Sequence, residues 1–227
     1  MSALDTLTPY EGLRVADVRD AMDALMMHPI GSMDPGIRPL WRTRVCGVAR
    51  TAKYLPYEGT IPRMSPTEYA DWSGWYYGNV CTYPWMAEIQ PGDLMVLDMS
   101  GVDCGLMGSE ITLAGMAKGA RGYVAEGGVR DTDEIILQEV PFWSRLISQS
   151  MVQGRLQFAD ADLPVEVGGV VVNPGDVVVA DGDGVIVVPC DAADDVAALA
   201  REVLDSDRAA RRQHYEEAGR ELDDTVS

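Results

Sequence analysis

The chain has 227 residues, 47% of them hydrophobic, and this is enough for one substantial core, so we predict a single domain over residues 1–227. Its formal net charge of −18 argues against a protein that grips nucleic acid through Lys and Arg, so no nucleic-acid partner is expected. No segment reaches the roughly 18 continuous apolar residues of a membrane helix, and the first residues, MSALDTLTPYEG, lack the regions of a secretory signal. We therefore expect a soluble cytoplasmic protein without a membrane partner.

The cysteines are far apart in the sequence, contain no C-x-x-C pair, and have only two histidines as potential co-ligands: Cys46, Cys81, Cys104, Cys190, His28 and His214. A zinc site is not expected from this pattern. We interpret the cysteines as mostly buried thiols in a reducing compartment, with attention to Cys104 because it precedes a glycine-flanked loop.

The N-terminal part begins with residues 1–13, which have no clear periodicity and are interpreted as an extended lead-in. Apolar residues then recur at helical spacing from Val18 to Met26, and the aspartates at 17, 20 and 23 are assigned to a solvated helix face. Glycines and prolines from Ile30 to Leu40 predict an irregular loop, followed by a strand over about Arg44 to Ala52.

An aromatic-rich insertion at about 57–85 contains three of the five tryptophans, with prolines and glycines between them. We predict a loop-rich segment here. Its aromatic side chains could wall a substrate pocket or anchor a subunit contact, because they combine large apolar area with a polar tip. A satellite core beneath a long loop explains the composition equally well.

Two segments repeat a Pro-Gly-Asp turn followed by an apolar run and an aspartate: Pro91 to Asp98 and Pro174 to Asp181. This pattern predicts a related pair of strands, and further strands are expected in Val165 to Val172 and Val185 to Val188. The Asp-Gly-Asp-Gly run that begins at Asp181 resembles a calcium loop, but the glutamate such a loop requires is absent, so a tight hairpin turn is predicted.

The central stretch, GLMGSEITLAGMAKGARGYVAEGGVRDTDE, begins at Gly105. Ser109 is a suitable N-cap for a helix over Glu110 to Lys118, and such a helix start offers unpaired N–H groups to an anion. A short buried strand is predicted next, over Tyr-Val-Ala, followed by a sharp turn at two glycines. Arg130 and Asp131 would then emerge together at the strand end.

These two side chains suggest a chemistry. Asp131 is a hard oxygen ligand of the kind that Mg²⁺ or Mn²⁺ accepts, and Arg130 is a cation beside it. A 2-oxo acid could chelate such a metal through its carboxylate and keto oxygens while the guanidinium stabilises an enolate. The alternative interpretation is a solvated Arg-Asp pair in a surface turn.

The same run, G-S-E-I-T-L-A-x-M-A-K-G-A-R-G-Y-V-x-E-G-G-V-R-D-x-D-E, resembles the RraA-like family, which includes the 4-hydroxy-4-methyl-2-oxoglutarate/4-carboxy-4-hydroxy-2-oxoadipate aldolases and the regulator of ribonuclease activity A. The segments VADVRDAMDALMM, GVART and PGDVVVADGDGVIVVP agree with it, so that the resemblance covers most of residues 14–190. It implies a mixed α/β fold, a layered β/β/α sandwich with a C-terminal helix.

For the site, the resemblance implies that Asp131 ligates the divalent metal, Mg²⁺ or Mn²⁺, and that Arg130 contacts the substrate's keto oxygen. Backbone N–H groups of Leu106, Met107, Gly108 and Ser109 would hold the substrate carboxylate. Ser109 stands where the aldolases commonly carry an acidic residue, so Glu110 or a water on the metal is assigned the proton transfers.

The C-terminal segment, about 191–221, has apolar residues at helical spacing and then mixed charge, and we predict a long helix that leaves the domain body. By resemblance to the aldolases, we expect a homotrimer or homohexamer in which Glu216 or Glu217 reaches a neighbouring subunit's site.

The expected function is therefore a metal-dependent aldolase or decarboxylase that releases pyruvate from a 4-hydroxy-2-oxo acid or a β-keto acid such as oxaloacetate. One alternative is a non-catalytic protein-binding regulator like the family's ribonuclease regulator, whose acidic surface would suit basic partner segments. Another is a lyase or hydratase for a more apolar substrate selected by the aromatic insertion.

Overall fold

A computed structural model describes residues 3–226 of the chain. Six α-helices occur in this range: α1 (Ala3–Leu7), α2 (Val15–Ala24), α3 (Pro66–Asn79), α4 (Ser109–Ala117), α5 (Thr132–Leu137) and α6 (Ala193–Glu217). The strands of the same range are β1 (Arg38–Pro39), β2 (Val45–Pro56), β3 (Asp93–Asp98), β4 (Gly105–Met107), β5 (Gly122–Val129), β6 (Phe142–Ile147), β7 (Leu156–Ala161), β8 (Val165–Val167), β9 (Val170–Val172), β10 (Val177–Asp181) and β11 (Gly184–Val188).

The main sheet has the strand order β1-β6-β5-β3-β2-β10-β11, with β4 added to β5 and β7 added to β2. Its centre is parallel, since β2 pairs with β3, β3 with β5, and β5 with both β4 and β6 in that sense. The outer pairs are antiparallel, and β8 and β9 form a separate hairpin. The fold is a mixed α/β architecture, as predicted.

Alternation along the strands divides the core into layers. In β10, Val177 and Val179 face a cluster that includes α2 and α6, whereas Val178 faces a second cluster beneath β8 and β9. In β3, Leu94 joins that second cluster, and Met95 faces a third, which contains the buried residues of the insertion and the underside of α4. The layered β/β/α arrangement follows from this inward and outward alternation.

The two repeated Pro-Gly-Asp segments form β3 and β10, which flank β2 on opposite sides, and the predicted tight turn after Asp181 joins β10 to β11. Both predictions are confirmed. In the described range no helix combines the length and apolar character needed to cross a membrane.

The prediction of an extended segment over residues 1–13 is wrong for the residues that the structure describes. Residues 3–7 form α1 and Thr8–Tyr10 form a 3₁₀ turn, while residues 1 and 2 lie outside the described range. Burial explains the difference, because Leu7 and Tyr10 are 1% exposed and the Tyr10 hydroxyl donates to the carbonyl of Ala193 at 2.7 Å. Tertiary contact holds a segment whose local pattern is too short to predict a helix.

Asp17 does not lie on the solvated face predicted for it. Its side chain is fully buried and forms an ion pair with Arg14, whose backbone N–H also donates to the carboxylate at 2.8 Å. A buried carboxylate is tolerated when it is paired and hydrogen-bonded in this way. Asp20 is exposed as expected, and Asp23 pairs with Arg19 at 2.7 Å.

The aromatic insertion is not mainly loop. It contains α3, whose N-terminus is closed by Ser65: the Ser65 side chain accepts from the N–H of Glu68, and the Glu68 carboxylate accepts from the N–H of Ser65. Pro66 occupies the first helical turn. This is a capping box, and the S-P-T-E sequence carries its signature, so the helix start was readable from the sequence.

The turn predicted at Gly127 and Gly128 is also absent, because β5 continues through both residues with only a register shift against β6. The glycines permit close approach instead. A Cβ at Gly127 would lie 2.6 Å from the Cβ of Met99, and one at Gly128 would overlap the carbonyl oxygen of Cys104. The missing side chains therefore allow β5 to reach the candidate site unbroken.

The C-terminal helix is present, but its first half does not leave the domain. Val196, Ala200 and Leu204 are buried in the cluster that α6 shares with α2. The second half is largely exposed, and the chain after it folds back so that Arg212 donates to the carbonyl of Val226 at 3.0 Å.

Candidate active site

An open cavity of about 470 Å³ lies where β4 and β5 end and α4 begins. Since β4 and β5 are parallel, their carboxyl ends meet at one edge of the sheet, and loops at such an edge are a common position for ligand sites. The pairing of β4 with β5 continues one residue beyond the end of β5, because the N–H of Arg130 donates to the carbonyl of Met107 at 3.0 Å. This pairing sets the residues after β5 beside the loop before α4.

Arg130 and Asp131 both line the cavity. The Nε of Arg130 donates to Oδ1 of Asp131 at 3.0 Å, and each side chain is about one-third exposed. Asp131 has φ 55° and ψ 42°, the left-handed region, which Asp tolerates better than most non-glycine residues. A strained backbone at a cavity wall is a feature often found at functional sites.

Two glycines of the preceding loop leave room for these side chains. A Cβ at Gly105 would lie 2.7 Å from Cγ of Arg130, and a Cβ at Gly108 would overlap Oδ2 of Asp131. Gly108 has an extended backbone, φ −126° and ψ −179°, so glycine is needed there for space rather than for conformation. The glycine-flanked loop is thus shaped around the Arg-Asp pair.

The helix start differs from the prediction. Gly108 is the N-cap of α4 and Ser109 is its first helical residue, with no side-chain cap. Oδ2 of Asp131 accepts a hydrogen bond from the Ser109 N–H at 3.2 Å, which places the carboxylate at the positive end of the helix. Ser109 therefore does not cap α4, and its side chain does not line the cavity.

The predicted carboxylate cradle is only partly open. The N–H of Ser109 is engaged by Asp131, and the N–H of Leu106 donates to the carbonyl of Cys104 at 3.2 Å. Leu106 and Gly108 line the cavity, whereas Met107 is fully buried in the core and does not. Met107 belongs to β4, which pairs with β5, so Gly108 is the residue of the predicted cradle that lines the cavity and whose N–H donates to neither Cys104 nor Asp131.

Glu110 lies in the first turn of α4, is exposed, and lines the same cavity as Asp131. The structure therefore brings together Leu106, Gly108, Glu110, Arg130 and Asp131. The exposed Glu216 and Glu217 lie at the end of α6, where Glu217 accepts from Gln213 at 2.7 Å. Whether either glutamate reaches a neighbouring subunit stays a prediction.

The remaining wall of the cavity is apolar and aromatic, and sequence reasoning did not single out its members: Tyr77, Tyr83, Ile111 and Met151. Tyr77 and Tyr83 come from the insertion, and their ring centroids are 6.4 Å apart. Tyr76 and Trp85 of the same insertion are buried in the core, so the insertion supplies both core and cavity wall. Its contact with a substrate or a neighbouring subunit stays a prediction. Ile111 directly follows Glu110 in the first turn of α4, and this adjacency is the sequence signal that could have found it.

Burial suppresses ionisation around the cavity. It raises the pKa of Tyr83 far above its ordinary value, and the Tyr83 hydroxyl donates to the carbonyl of Leu106 at 2.8 Å. Burial also raises the pKa of the Cys104 thiol to about 12. A thiol that remains protonated is a poor nucleophile, which agrees with the interpretation of Cys104 as a buried thiol. Three of the cysteines are buried as expected, and Cys190 is exposed.

The donor set suits a loosely held hard cation. Within residues 3–226 no three His, Cys, Asp or Glu side chains cluster closely enough to enclose a metal. Asp131 makes one hydrogen bond through each carboxylate oxygen, and further lone pairs remain for a ligand. Mg²⁺ is commonly bound by one or two carboxylates, with water and substrate oxygens completing the octahedron. Asp131, with Glu110 nearby, fits that mode and does not fit zinc.

Comparison with known proteins agrees with the geometry. The model of the RraA-like family, described as Aldolase/RraA, matches residues 15–187. The chain belongs to the RraA-like family. Relatives of this chain are named as 4-hydroxy-4-methyl-2-oxoglutarate aldolases, so the family is one of oxo-acid lyases and their RraA relatives.

Among the curated relatives, a Halalkalibacterium halodurans protein named "Putative 4-hydroxy-4-methyl-2-oxoglutarate aldolase" is 28% identical over 214 residues, 92% of this chain and 88% of that protein. Protein DlpA of Legionella pneumophila is 29% identical over 178 residues, which is 78% of this chain but only 26% of DlpA. The 4-hydroxy-4-methyl-2-oxoglutarate aldolase of Thermus thermophilus is 33% identical over 43% of this chain and 60% of that protein.

Solved structures share the fold over nearly the full length. An uncharacterized protein from Pseudomonas syringae has a TM-score of 0.75 and 27% identity, covering 99% of this chain and 98% of that one. Streptomyces coelicolor RraAS2, described as an unusual member of the RNase ES inhibitor RraA protein family, has a TM-score of 0.72 and 26% identity, covering 91% and 96%. The predicted family and fold class are confirmed.

Proposed function

We propose that this protein is a divalent-metal-dependent lyase that cleaves a 4-hydroxy-2-oxo acid, or decarboxylates a related β-keto acid, and releases pyruvate. The observation that carries the proposal is the Arg130–Asp131 pair, held at the floor of a cavity by the glycines of the loop before α4. The names of relatives as oxo-acid aldolases support the same reaction class.

Asp131 would hold the cation, Mg²⁺ or Mn²⁺, with Glu110 as a neighbouring carboxylate. Such a cation supplies a Lewis acid for the keto oxygen of a 2-oxo acid. Arg130 lies beside Asp131 and stabilises the negative charge that develops on that oxygen when the C–C bond breaks. In the aldol cleavage one carbon–carbon bond breaks, its electron pair remains on the pyruvate fragment as an enolate, and a proton then quenches that carbon.

Proton transfer is assigned to Glu110, which lines the cavity and is exposed. The carboxylate can take the proton of the C4 hydroxyl as the C3–C4 bond breaks, and can return a proton to C3. Ser109 has no carboxylate to offer, and its N–H instead orients Asp131. The substrate carboxylate is assigned to the loop at Leu106 and Gly108.

A homo-oligomer, trimeric or hexameric, and a cytoplasmic location are parts of the same proposal. The competing function is a protein-binding regulator, favoured by the likeness to a structure described as a member of the RNase ES inhibitor RraA family. Retention of both Arg130 and Asp131 at one cavity favours the enzyme, since a surface that only binds protein has no need of the pair.

The deciding experiment incubates the purified full-length protein with oxaloacetate or 4-hydroxy-4-methyl-2-oxoglutarate and Mg²⁺, and follows pyruvate with lactate dehydrogenase and NADH. We expect pyruvate release that stops with EDTA and returns with excess Mg²⁺ or Mn²⁺. The rate without protein is subtracted, because Mg²⁺ alone decarboxylates oxaloacetate slowly. Failure of both acids to release pyruvate above that rate would favour the regulator, or a lyase or hydratase for a different, more apolar substrate that the aromatic insertion selects.

A further inference from the structure

We propose that the cavity selects a 4-hydroxy-2-oxo acid with a single carboxylate and an apolar, preferably aryl, substituent at C4, and that Tyr77 determines this specificity. The inference rests on the proposed function and goes further by naming the class of substrate. Two independent features of the cavity carry it: the balance of charged side chains and the composition of the wall.

The charge balance disfavours a second carboxylate on the substrate. Among the described residues that line the cavity, Arg130 is the one cation, and it is already paired with Asp131 at 3.0 Å. Glu110 adds another negative charge to the same cavity. With the proposed divalent cation at Asp131, the charges of that cation and Arg130 are balanced by Asp131, Glu110 and the substrate's 2-oxo carboxylate, so a dicarboxylate would bring a second anion with no remaining partner. Because the cavity is open and Glu110 is exposed, the second anion is disfavoured by repulsion from Glu110, which solvent moderates.

The wall offers apolar surface instead. Tyr77 and Tyr83 face the cavity with ring centroids 6.4 Å apart and planes inclined by 30°, and Ile111 and Met151 extend the same wall. Aromatic rings in this arrangement accept a third ring by offset or edge contacts, and the Met thioether favours ring edges. Tyr77 is 37% exposed, which leaves part of its ring available to a ligand.

Tyr77 and Arg130 line the same cavity. The aromatic wall therefore shares one space with the group that is assigned to the keto oxygen. A substituent two carbons from the keto carbon of the substrate can meet that wall while the keto acid end remains at Arg130.

The wall is also held in place, as a specificity site requires. The hydroxyl of Tyr76, next to Tyr77 in α3, donates to the carbonyl of Leu156 at 2.6 Å, and Nε2 of Gln153 donates to Oγ of Ser73 at 2.7 Å. The hydroxyl of Tyr83 donates to the carbonyl of Leu106. Both tyrosines are thus positioned before substrate arrives.

The reaction is an ordinary retro-aldol cleavage. For 4-hydroxy-2-oxo-4-phenylbutanoate, the C4 hydroxyl loses its proton, the C3–C4 bond breaks with its electron pair remaining on C3, and C4 becomes the carbonyl of benzaldehyde. Protonation of C3 completes pyruvate. No oxidant or further reactant is needed, and an aldehyde-consuming reaction would act on the second product.

The test compares kcat/KM for pyruvate release with Mg²⁺ from three probes: oxaloacetate, 4-hydroxy-4-methyl-2-oxoglutarate and 4-hydroxy-2-oxo-4-phenylbutanoate. Both of the first two probes are dicarboxylates, and we expect the phenyl compound to exceed each of them by at least about tenfold, as apolar pocket contacts typically discriminate. Oxaloacetate, whose second carboxylate leaves as CO₂, serves as the small probe that lacks both a ring and a C4 hydroxyl.

Variants of α3 identify the residue responsible. Tyr77→Ala should lower the ratio of kcat/KM for the phenyl compound to that for oxaloacetate on the order of tenfold, because ring contacts of this size are lost. Tyr77→Phe keeps the ring and should retain the ratio. Trp75→Ala is the matched control, since Trp75 is a 50% exposed aromatic residue of the same helix that does not line the cavity.

The outcomes separate the two proposals. Pyruvate from either dicarboxylate, oxaloacetate or 4-hydroxy-4-methyl-2-oxoglutarate, with no preference for the phenyl compound, would overturn the substrate class and leave the lyase intact. An equal loss on all probes in Tyr77→Ala and Trp75→Ala would overturn the role of Tyr77. No pyruvate from any probe would remove the lyase and, with it, this inference.

Discussion

The carboxylate of Asp131 accepts a hydrogen bond from the backbone N–H of Ser109 at 3.2 Å, a contact between residues 22 apart in the chain. It joins the end of β5 to the first turn of α4, so the anion lies where the helix dipole favours negative charge. The same carboxylate also accepts a hydrogen bond from Nε of Arg130. One side chain thus connects the strand end, the helix start and the adjacent guanidinium.

Asp131→Asn should remove pyruvate release while preserving the fold. Asn keeps the shape and tolerates the left-handed backbone at φ 55°, but it loses the charge that a hard cation requires. We expect a fall in kcat/KM of about 100-fold or more, as for loss of a principal electrostatic group. Steady-state kinetics with titrated Mg²⁺ measures it. Parent-like, chelator-sensitive turnover in this variant would remove Asp131 from the mechanism.

Gly108→Ala tests the same carboxylate by steric displacement. The added Cβ would overlap Oδ2 of Asp131, while the extended backbone of Gly108 accepts alanine without strain. We expect kcat/KM to fall about tenfold or more through misplacement of Asp131. Kinetics and thermal unfolding are measured together.

Gly74→Ala is the control for that substitution, because Gly74 lies inside α3 and its added Cβ would meet nothing within 4 Å. Alanine should stabilise this helix position by about 0.5–1 kcal/mol and leave activity unchanged. An active Gly108→Ala protein with parent-like kinetics would show that the contact between the loop and Asp131 is not needed.

The thiols should differ sharply in reactivity. Cys46, Cys81 and Cys104 are buried and Cys190 is exposed. Burial raises the pKa of Cys46 to about 11 and of Cys104 to about 12, so neither provides thiolate at neutral pH. Ellman's reagent at pH 8 should therefore label one thiol in the native protein and the remaining buried thiols only after denaturation. Rapid labelling that persists in Cys190→Ser would contradict this assignment.

The core beneath the insertion depends on a buried hydroxyl. The hydroxyl of Tyr54 donates to the carbonyl of Thr82 at 2.9 Å and accepts from Nε1 of Trp85 at 2.8 Å. Tyr54→Phe leaves both partners unsatisfied in a dry environment, and we expect the free energy of unfolding to fall by about 1–3 kcal/mol. Urea denaturation measures it. Tyr69→Phe, at a 39% exposed position of α3, is the control and should be near neutral.

The local parts of the site could be predicted because they depend on neighbours in sequence. Arg130 and Asp131 are adjacent, the apolar run before them forms a buried strand, and the segment after Gly108 forms a helix. Strand and helix periods are written directly into such runs. The hairpin after Asp181 followed from turn chemistry in the same way.

Other features could not be predicted from local pattern. Asp17 has the same sequence context as the exposed Asp20, yet it is buried because Arg14 reaches it and Asp207 of α6 also contacts that arginine at 2.6 Å. The two glycines of β5 looked like a turn, although their function is to admit Met99 and Cys104 at short range. The Arg14–Asp17 contact is local, whereas the contacts with Asp207, Met99 and Cys104 depend on distant elements whose positions the local residues do not encode.

The sequence by itself therefore determined several of the strands and helices, among them β3, β10, β11 and α4, together with the adjacent cation and anion and the likeness to the RraA-like family. Only the tertiary structure decided that Tyr77, Tyr83 and Met151 share one cavity with Arg130, and that the Ser109 amide orients Asp131. The physical reason is the sequence separation over which the interactions act. Backbone hydrogen bonding and side-chain periodicity are local, whereas a cavity wall forms where packing brings separate segments together.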